Sequence, residues 1–231
     1  MADLLITVAS LRRFPVKSMG GEDLEWVELD AHGLHGDRRY AVRDHDGRLA
    51  SGKNTRRFRR RDAIFEYSAS TTMDGVLVTG ARGGRWDVGD AALAAELSAA
   101  MNTSVEVTAS TAESFQDRGS VSLISDASLR WCAQRWGDAD PRRLRSNLIL
   151  AGGEAFSEER WLGHELRIGE ARLRVVERIP RCRMIDVAQD GFVPDVPWLI
   201  ELTRIRQMYL GVYAEVLVPG ILRKGDRLTV C

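Results

Sequence analysis

The chain has 231 residues, 44% hydrophobic and 29% charged, a composition typical of a globular protein with one large domain or two small ones. Its 33 basic and 33 acidic residues give a formal net charge of +0, so charge alone does not favour a nucleic acid or an anionic membrane as partner. The three cysteines are widely spaced, and no segment approaches the roughly 20 apolar residues of a membrane span. We therefore exclude a disulfide framework and predict a cytoplasmic protein without a membrane partner.

The first part of the chain is predicted to form short strands. Residues 4–16 alternate like a strand, and they lack the basic flank and apolar stretch of a signal peptide. In residues 23–30 apolar and polar residues alternate, and we predict that Leu24, Trp26 and Val27 lie near the buried side.

Turn signals place three further strand segments. Residues 37–51 predict a hairpin that turns at Asp46-Gly47. Residues 74–80 and 83–89 are short apolar segments bounded by glycines, which is typical of strands.

Two helices are predicted in the middle of the chain, with Asp90 as one N-cap and Ser125 or Asp126 as the other. The predicted buried stripes are Leu93, Leu97 and Met101 in the first helix, and Leu129, Ala133 and Trp136 in the second. Residues 109–120 between them are polar and break the apolar pattern. They predict a crossing between two domains.

Strands resume after residue 144, and residues 164–179 predict a hairpin that turns near Gly169-Glu170. Residues 195–205 predict a short helix with Asp195 as N-cap. Its predicted buried stripe is Trp198, Leu202 and Ile205. Residues 209–230 predict a strand, a Pro-Gly turn and a hairpin about Lys224-Gly225-Asp226. Many short strands with few helices predict a mainly β protein of β-barrel type rather than a doubly wound α/β sheet.

One cysteine is distinguished by its neighbours. In RIPRCRMIDV, residues 178–187, Cys182 lies between Arg181 and Arg183, and nearby positive charge favours a thiolate over a thiol. No histidine is near it in sequence, which disfavours a hydrolase dyad without excluding one. An electropositive thiolate can also carry sulfur or bind a soft metal. The alternative is a structural cysteine in a chain rich in arginine.

Two short motifs could hold an anion. Lys17 and Ser18 follow a proline and precede two glycines, so a lysine, a hydroxyl and free backbone N–H groups come together. In HGLHGDRRYAV the glycines predict a turn that aims Arg38 or Arg39 into a cavity, with Asp37 holding the guanidinium. An ordinary strand end and a surface ion pair are the alternatives.

Two further stretches carry polar groups with a possible binding role. Arg145 and Asn147 are two apart at the start of an apolar strand, so we expect both on one face, with Ser146 on the other. Arginines surround Phe58 in residues 56–61 and could contact RNA or DNA. The balanced net charge argues against nucleic acid and favours a charged rim or a solvated face.

Five segments together resemble the MOSC family, the molybdenum cofactor sulfurase C-terminal domain, with its N-terminal β-barrel module. They are PVKSMGG, GLHGDRRYAV, LRSNLILAGGEAFSEERW, LRIGEARLRVVERIPRCRMIDV and GVYAEVLVPGILRKGD, and they span nearly the whole chain. The layout is similar to that of the amidoxime-reducing members and the bacterial stand-alone members.

The resemblance implies a smaller β-rich module at residues 1–115, a β-barrel MOSC domain at residues 116–231, and a molybdenum cofactor (Mo-molybdopterin) between them. It implies that Cys182 is the protein ligand of molybdenum. The implied cofactor contacts are Lys17, Ser18 and Arg38 at the phosphate, and Arg145, Asn147 and Arg181 along the pocket.

The chain departs from the family pattern in three places. The family's R-P-N reads Arg145-Ser146-Asn147, and an A-R-Q segment is replaced by ASGKNTRR, in which Lys53 is the natural substitute contact. Some members continue into a ferredoxin-like module, whereas this chain lacks clustered cysteines for an iron–sulfur centre. We therefore expect electrons from a separate flavin or iron–sulfur protein.

These points lead to one main hypothesis and two alternatives. The main hypothesis is a molybdenum-cofactor-binding oxidoreductase that reduces small N-hydroxylated compounds such as amidoximes, hydroxylamines or N-hydroxylated bases. The first alternative is a sulfur carrier or carbon–sulfur lyase that uses Cys182. The resemblance also suggests pyridoxal phosphate binding, but no pyridoxal-phosphate sulfurase domain fits into 231 residues, so another enzyme would load the sulfur. The second alternative is a noncatalytic binding barrel that uses residues 56–61.

Overall fold

A computed structural model describes residues 5–110 and 115–231 of the chain. The predicted fold class is confirmed, because these residues form mainly strands with a few helices. The strands are β1 (Ile6–Arg13), β2 (Glu22–Leu24), β3 (Trp26–Asp30), β4 (Gly33–Leu34), β5 (Tyr40–Asp44), β6 (Leu49–Ser51), β7 (Phe58–Arg60), β8 (Tyr67–Thr71), β9 (Val76–Gly80), β10 (Arg85–Asp87), β11 (Val105–Ala109), β12 (Val121–Ser125), β13 (Leu148–Ala151), β14 (Glu165–Ile168), β15 (Ala171–Pro180), β16 (Tyr209–Val218), β17 (Gly220–Arg223) and β18 (Arg227–Val230). The helices are α1 (Ala91–Met101), α2 (Asp126–Trp136) and α3 (Leu199–Arg206), with 3₁₀ helices at Asp62–Glu66, Pro141–Leu144, Ser157–Trp161 and Arg183–Asp186.

Seven strands close into a barrel. Their order is β1, β13, β12, β16, β15, β14 and β18, and β18 pairs back to β1. Neighbouring strands are antiparallel except β12 and β13, which run parallel because α2 carries the chain between them. Closure satisfies the hydrogen bonds that a sheet edge would leave free.

The barrel interior follows from the period of two in the strand sequences. In β15, Ala171, Leu173 and Val175 are buried, while Arg172 and Arg174 between them are exposed. Every barrel strand contributes to the same apolar cluster. Each fully buried aliphatic side chain stabilises such a core by about 1.5–3 kcal/mol, so the alternation is sufficient to orient the sheet.

The N-terminal strand is part of the barrel. It pairs with β13 and β18, and a bulge shifts its register between Val8 and Ser10. Strand β3 likewise pairs with β17 near the other end of the chain. Residues on both sides of position 115 therefore build the barrel region, and the division into domains 1–115 and 116–231 stays a prediction.

A second β-rich unit packs beside the barrel. One sheet contains β11, β5, β6 and β7, another contains β10, β9 and β8, and α1 shares their apolar core. The predicted hairpin is confirmed in β5 and β6, with Gly47 at a φ of 77°, a left-handed conformation that suits glycine. The predicted stripe of α1 is buried, and Asp90 occupies the N-cap position without a side-chain capping bond.

Helix α2 confirms the predicted start. The Ser125 hydroxyl accepts a hydrogen bond from the backbone N–H of Ser128 and caps the helix. Leu129 and Trp136 are buried as predicted, whereas Ala133 is half-buried.

The cap of α3 was predicted wrongly. The carboxylate of Asp186, not that of Asp195, accepts hydrogen bonds from the backbone N–H groups of Trp198 (2.6 Å) and Leu199 (3.0 Å). Asp186 reaches the helix across the fold from the 3₁₀ helix that follows Cys182, a contact that local sequence cannot reveal. Ile205, predicted as buried, is 46% exposed.

Two other predictions are corrected. Trp26 is exposed and Val27 is buried, because β3 turns Val27 and Leu29 toward the barrel core. The predicted hairpin at residues 224–226 has its turn, but the flanking strands do not pair with each other. Strand β17 pairs with β3, and β18 pairs with β1 and β14.

Candidate functional site

A cavity of about 400 Å³ lies between one end of the barrel and the second β-rich unit. Its volume is within the range of small-molecule sites. All eight residues singled out from the sequence line it: Lys17, Ser18, Arg38, Lys53, Arg145, Asn147, Arg181 and Cys182. The fold thus brings these residues together, while the role of each one stays a prediction.

Lys17 and Ser18 lie in the turn after β1. The Lys17 Nζ donates to the backbone oxygen of Phe115 (2.7 Å) and to Asp117 Oδ1 (3.0 Å). Ser18 has a φ of 71° and donates its hydroxyl to the backbone oxygen of Ala50. Burial is the main cause that lowers the pKa of Lys17 to about 8, and Asp117 opposes it. A charged Lys17 is thus costly unless a further anion is near.

Arg38 enters the cavity as the glycine turn predicts. Gly36 takes a positive φ of 81°, and the Asp37 carboxylate accepts from both the Arg38 guanidinium and the backbone N–H of Phe14. Asp37 is fully buried, so the pair is not a surface ion pair. Burial acts to lower the pKa of Arg38, but Asp37 outweighs it and raises that pKa. Arg39 is exposed.

The segment before β13 places Arg145 and Asn147 on the cavity and Ser146 on its other side. The faces are as predicted, but the backbone is not a regular strand, since Arg145 has a left-handed φ of 52°. Arg145 donates to the backbone oxygen of Met19 (2.6 Å), and the Asn147 amide oxygen accepts from the Ser122 hydroxyl (2.8 Å). Burial, followed by the nearby Arg38 guanidinium, lowers the pKa of Arg145 to about 9.

Arg181 is buried and bonded to backbone rather than to a carboxylate. Its Nε donates to the Leu210 oxygen (2.7 Å) and its Nη1 to the Leu144 oxygen (2.8 Å). Its Nη2 is buried without a hydrogen-bond partner among the described residues. Burial lowers the pKa of Arg181 to about 10. This orphaned donor is suited to an incoming acceptor.

Cys182 is half-buried and ends at the cavity wall. It occupies the position before the 3₁₀ helix Arg183–Asp186. Arg183 turns away to pair with Asp62 (2.9 Å) and to donate to the Gly52 oxygen (3.2 Å). Arg181 therefore lines the cavity with the thiol, whereas Arg183 joins the barrel end to the second unit. None of the four histidines, all within the described part of the chain, lines the cavity.

Several lining residues were not singled out from the sequence. The stretch Gln116–Gly119 borders the cavity, although its polar character predicted only a domain crossing. Residues 111–114 of that predicted crossing lie outside the described residues. Burial acts to raise the pKa of Asp117, but Lys17 and Lys53 outweigh it and lower that pKa to about 2. In the sequence, the only indication of this wall was that an acidic residue, Asp117, lies between Gln116 and Arg118 in a segment without a strand pattern.

Arg143 and Tyr213 were also missed. Arg143 is buried, stacks on the ring of Trp198 at 4.0 Å and donates to the Ile185 oxygen. Tyr213 lies in β16, opposite Ser122 of β12. In the sequence, Arg143 is one of many arginines and Tyr213 is an ordinary strand residue. Only their position in the structure shows that they line the cavity.

The charges on the cavity wall are unbalanced. Within the described residues, one carboxylate, that of Asp117, lines the cavity. The lining cations are Lys17, Arg38, Lys53, Arg118, Arg143, Arg145 and Arg181. From outside the wall, Asp37 and Glu177 neutralise Arg38 and Arg118, and Asp138 and Asp186 each lie 3.9 Å from the Arg143 guanidinium. The remaining excess of positive charge is suited to an anionic ligand.

Three of the five arginines in residues 56–61 are paired with carboxylates. Arg59 contacts Asp46 (3.2 Å), Arg60 contacts Asp62 (2.7 Å), and Phe58, which precedes both arginines, is buried. These ion pairs leave less free charge for a polyanion than the sequence suggests. The run forms a rim beside the cavity, which Phe58 and Lys53 border.

Two further features concern metal ligands and membrane-spanning helices. Across residues 5–110 and 115–231, no group of three or more His, Cys, Asp or Glu side chains is arranged to hold a metal ion. In the same residues, no helix has the length and apolar character needed to cross a membrane.

Sequence comparisons identify two matching family models. Residues 110–229 match the MOSC domain, and residues 5–138 match the MOSC N-terminal beta barrel domain. Molybdenum cofactor sulfurase from Oryza sativa subsp. japonica is 34% identical over 87 residues, which are 33% of this chain and 10% of that protein. Mitochondrial amidoxime reducing component 2 from Rattus norvegicus is 29% identical over 126 residues, which are 48% of this chain and 37% of that protein. The matches thus span only part of each relative.

A structural comparison adds the fold. The crystal structure of the YuaD protein from Bacillus subtilis aligns with a TM-score of 0.55 at 15% identity, covering 98% of this chain and 95% of that one. At this identity the two proteins share a fold, and nothing further follows from the alignment.

Proposed function

The chain belongs to the MOSC domain family, and on that premise we propose that it binds the molybdenum cofactor in the cavity and reduces N-hydroxylated compounds. Amidoximes, hydroxylamines and N-hydroxylated bases are the proposed substrate class. The observation that supports this most is that Cys182 lines the same cavity as buried cations that lack carboxylate partners. A thiolate is the form of cysteine that binds a metal, and cations favour the thiolate.

The residues on the wall fit a phosphate-bearing, thiolate-bound cofactor. Arg181 Nη2 is a buried donor without a partner, and Arg145 is charged in a setting that lowers its pKa to about 9. Both groups would be stabilised by acceptor atoms of an anionic ligand. The cavity of about 400 Å³ can hold a ligand of that size.

Each lining residue has a proposed task. Cys182 binds molybdenum through its sulfur. When bound, the cofactor would supply the two-electron redox chemistry for cleavage of an N–O bond. The cofactor phosphate is held by Lys17, Ser18 and Arg38, and the rest of the cofactor by Lys53, Arg145, Asn147 and Arg181.

The protein's own contribution is position, charge and protection from water. Asn147 is fixed by Ser122 on one side and donates its Nδ2 to the Arg12 oxygen (3.2 Å) on the other, so its place on the wall is rigid. The backbone oxygens that hold Arg145 and Arg181 keep both guanidinium groups in place before a ligand arrives. Such preorganisation lowers the cost of binding. We propose that a separate flavin or iron–sulfur protein supplies the electrons.

The test is an elemental analysis of the chain purified from cells that make the cofactor. We expect about one molybdenum per chain and reduction of an amidoxime when a chemical reductant is added. Folded protein that carries no molybdenum under these conditions contradicts cofactor binding. Protein that carries molybdenum but leaves the amidoxime intact contradicts the reductase assignment alone.

Cys182→Ala is the matched variant for this test. It should abolish activity and leave the barrel folded, because the half-buried thiol lies outside the barrel core. Cys231→Ala, which removes an exposed thiol, is the control and should behave like the unmodified chain. Retained activity in Cys182→Ala rules out its role as the ligand.

A second candidate is a sulfur-handling role for Cys182. It is favoured by the similarity to a protein named molybdenum cofactor sulfurase and by the access of this thiol to the cavity. Mass spectrometry that finds a persulfide on Cys182, in protein without molybdenum, supports this candidate over the reductase.

A further inference from the structure

We propose that Tyr213 is the proton donor of the cavity: its hydroxyl hydrogen-bonds the oxygen of the N–O group and protonates it as it leaves. This inference rests on the proposed function, since it names the residue that completes the same reaction. The sequence does not single out Tyr213, and the main evidence for its role is its surroundings.

The position of Tyr213 is fixed by the barrel wall. Its backbone is paired on both sides, with Ser122 of β12 and with Glu177 of β15. Its ring packs against Gly119, where an added Cβ would lie 2.8 Å from the Tyr213 Cγ. The side chain lines the cavity from this support. A ring clamped in this way presents its hydroxyl at a defined place.

The charges around the hydroxyl favour a neutral phenol that can release a proton transiently. The positive charges of Arg181 and Arg38 act to lower the pKa of the hydroxyl, and the negative charges of Asp117 and Glu177 act to raise it. Burial is the largest cause that raises the pKa of Tyr213, so the phenol keeps its proton at neutral pH. The two guanidinium groups would stabilise the phenolate formed after proton transfer.

Three other donors on the wall are already engaged. Ser18 donates to the Ala50 oxygen and Ser122 donates to the Asn147 amide. Lys17 is held by the Phe115 oxygen and Asp117. Arginines do not give up protons in proteins. Among the hydrogen bonds of the described residues, none involves the Tyr213 hydroxyl, so its proton is free for a ligand.

The proposed step balances as a two-electron reduction. The external donor supplies two electrons, and the N–O bond of R₂N–OH breaks. The leaving oxygen keeps its own hydrogen, takes the phenol proton from Tyr213 and departs as water. The nitrogen takes a second proton from solvent to give R₂NH, and water then returns a proton to the Tyr213 phenolate.

The experiment compares Tyr213→Phe with Tyr209→Phe in molybdenum-loaded protein. Tyr213→Phe removes only the hydroxyl and keeps the ring on Gly119, whereas Tyr209 lies on the same strand and is not a lining residue of the cavity. We expect Tyr213→Phe to reduce an amidoxime about 10²- to 10⁴-fold more slowly, which is the usual contribution of an acid or base. Its molybdenum content should be unchanged. Tyr209→Phe should match the unmodified chain.

A second readout needs no turnover. In oxidised protein without reductant, Tyr213→Phe should bind the amidoxime roughly fivefold more weakly, the equivalent of one hydrogen bond. Gly119→Ala, whose added methyl displaces the ring, should slow the unmodified chain but add no further loss in the Tyr213→Phe background. This double-mutant cycle distinguishes loss of the hydroxyl from a general disturbance of the cavity wall.

The possible failures are distinguishable. Turnover in Tyr213→Phe within about threefold of the unmodified chain overturns the proton-donor role and leaves the proposed function intact. An unmodified chain that holds molybdenum but reduces no N-hydroxylated compound overturns both. Additive losses in the Gly119→Ala cycle also count against Tyr213.

Discussion

The arginines that line the cavity and those of residues 56–61 differ in what neutralises them. Arg145 and Arg181 are buried and donate to backbone oxygens, with no carboxylate bonded to either guanidinium among the described residues. In the run at 56–61, Arg59 and Arg60 are paired with carboxylates at the surface. Both regions are rich in arginine, yet only the first holds positive charge that is both buried and without a carboxylate partner.

The difference shows that the density of charge in a sequence is a poor guide to a binding site. A surface arginine beside a carboxylate is already compensated, and such a pair contributes little. A buried arginine that meets only carbonyl dipoles keeps its full charge in a medium that screens poorly. It therefore attracts an anion more strongly than a compensated surface arginine does.

The sharpest test of this comparison is to remove one arginine from each region. Arg145→Met should weaken cofactor retention by about 2–5 kcal/mol, a factor of roughly 30 to 5000, because a buried charge contact is lost. Arg60→Met should retain the cofactor like the unmodified chain. Molybdenum bound after dialysis measures both. Equal losses of bound molybdenum in the two variants would show that the buried arginine and the surface arginine contribute equally to cofactor retention.

The next test uses pH and the cofactor-free protein. Lys17 has a folded pKa of about 8 against 10.5 for the free side chain, so between these values the unfolded chain binds more protons and stability rises with pH. The rise from Lys17 should be on the order of 3 kcal/mol. Denaturant unfolding at pH 7 and pH 10 should show it in the unmodified chain and in Lys224→Met, which changes an exposed lysine. It should be absent in Lys17→Met, and a rise of the same size there contradicts the assignment.

A smaller effect is expected from an added anion. Phosphate at about ten times its dissociation constant should stabilise the cofactor-free chain by about 1.4 kcal/mol, or roughly 3–6 °C in Tm. Thermal unfolding should show this shift in the unmodified chain and in Arg60→Met. A shift that persists in full in Arg145→Met places the phosphate elsewhere.

The smallest effect should come from the rim. Asp46→Asn removes the carboxylate partner of Arg59, in a pair that is exposed on both sides. The free energy of unfolding should change by less than about 1 kcal/mol. A much larger loss in denaturant unfolding would mean that the rim pairs stabilise the fold as strongly as buried contacts do.

Much of the fold followed from local pattern. The period of two in β15 and the stripe of α1 specify which face is buried wherever an element has one face on a core. The glycine before Asp37 indicated that Arg38 or Arg39 turns inward, and the structure shows that it is Arg38. These features depend only on residues close in sequence.

The wrong predictions depend on partners that lie outside the predicted element. Asp186 caps α3 in place of Asp195, and β17 leaves its expected hairpin to pair with β3. Trp26 faces solvent because that pairing turns Val27 toward the barrel. In each case the local signal was compatible with two arrangements, and a contact with another element selected one.

The candidate site shows the same division. The sequence alone marked Cys182, its neighbouring arginines and the other predicted contacts, because their types and spacing recur in a recognisable family. It could not show that Asp117 and Tyr213 share the wall, nor that Arg181 is left with a free buried donor.

Residue types and periodicity determined the mainly β class and the candidate residues, since these depend on the chemistry of short segments. Closure of the barrel by β1 and the excess of buried positive charge were decided by the tertiary structure alone. The physical reason is that burial and charge compensation are properties of a position in space. A guanidinium has the same chemistry in every sequence, and its neighbours determine whether it is neutralised.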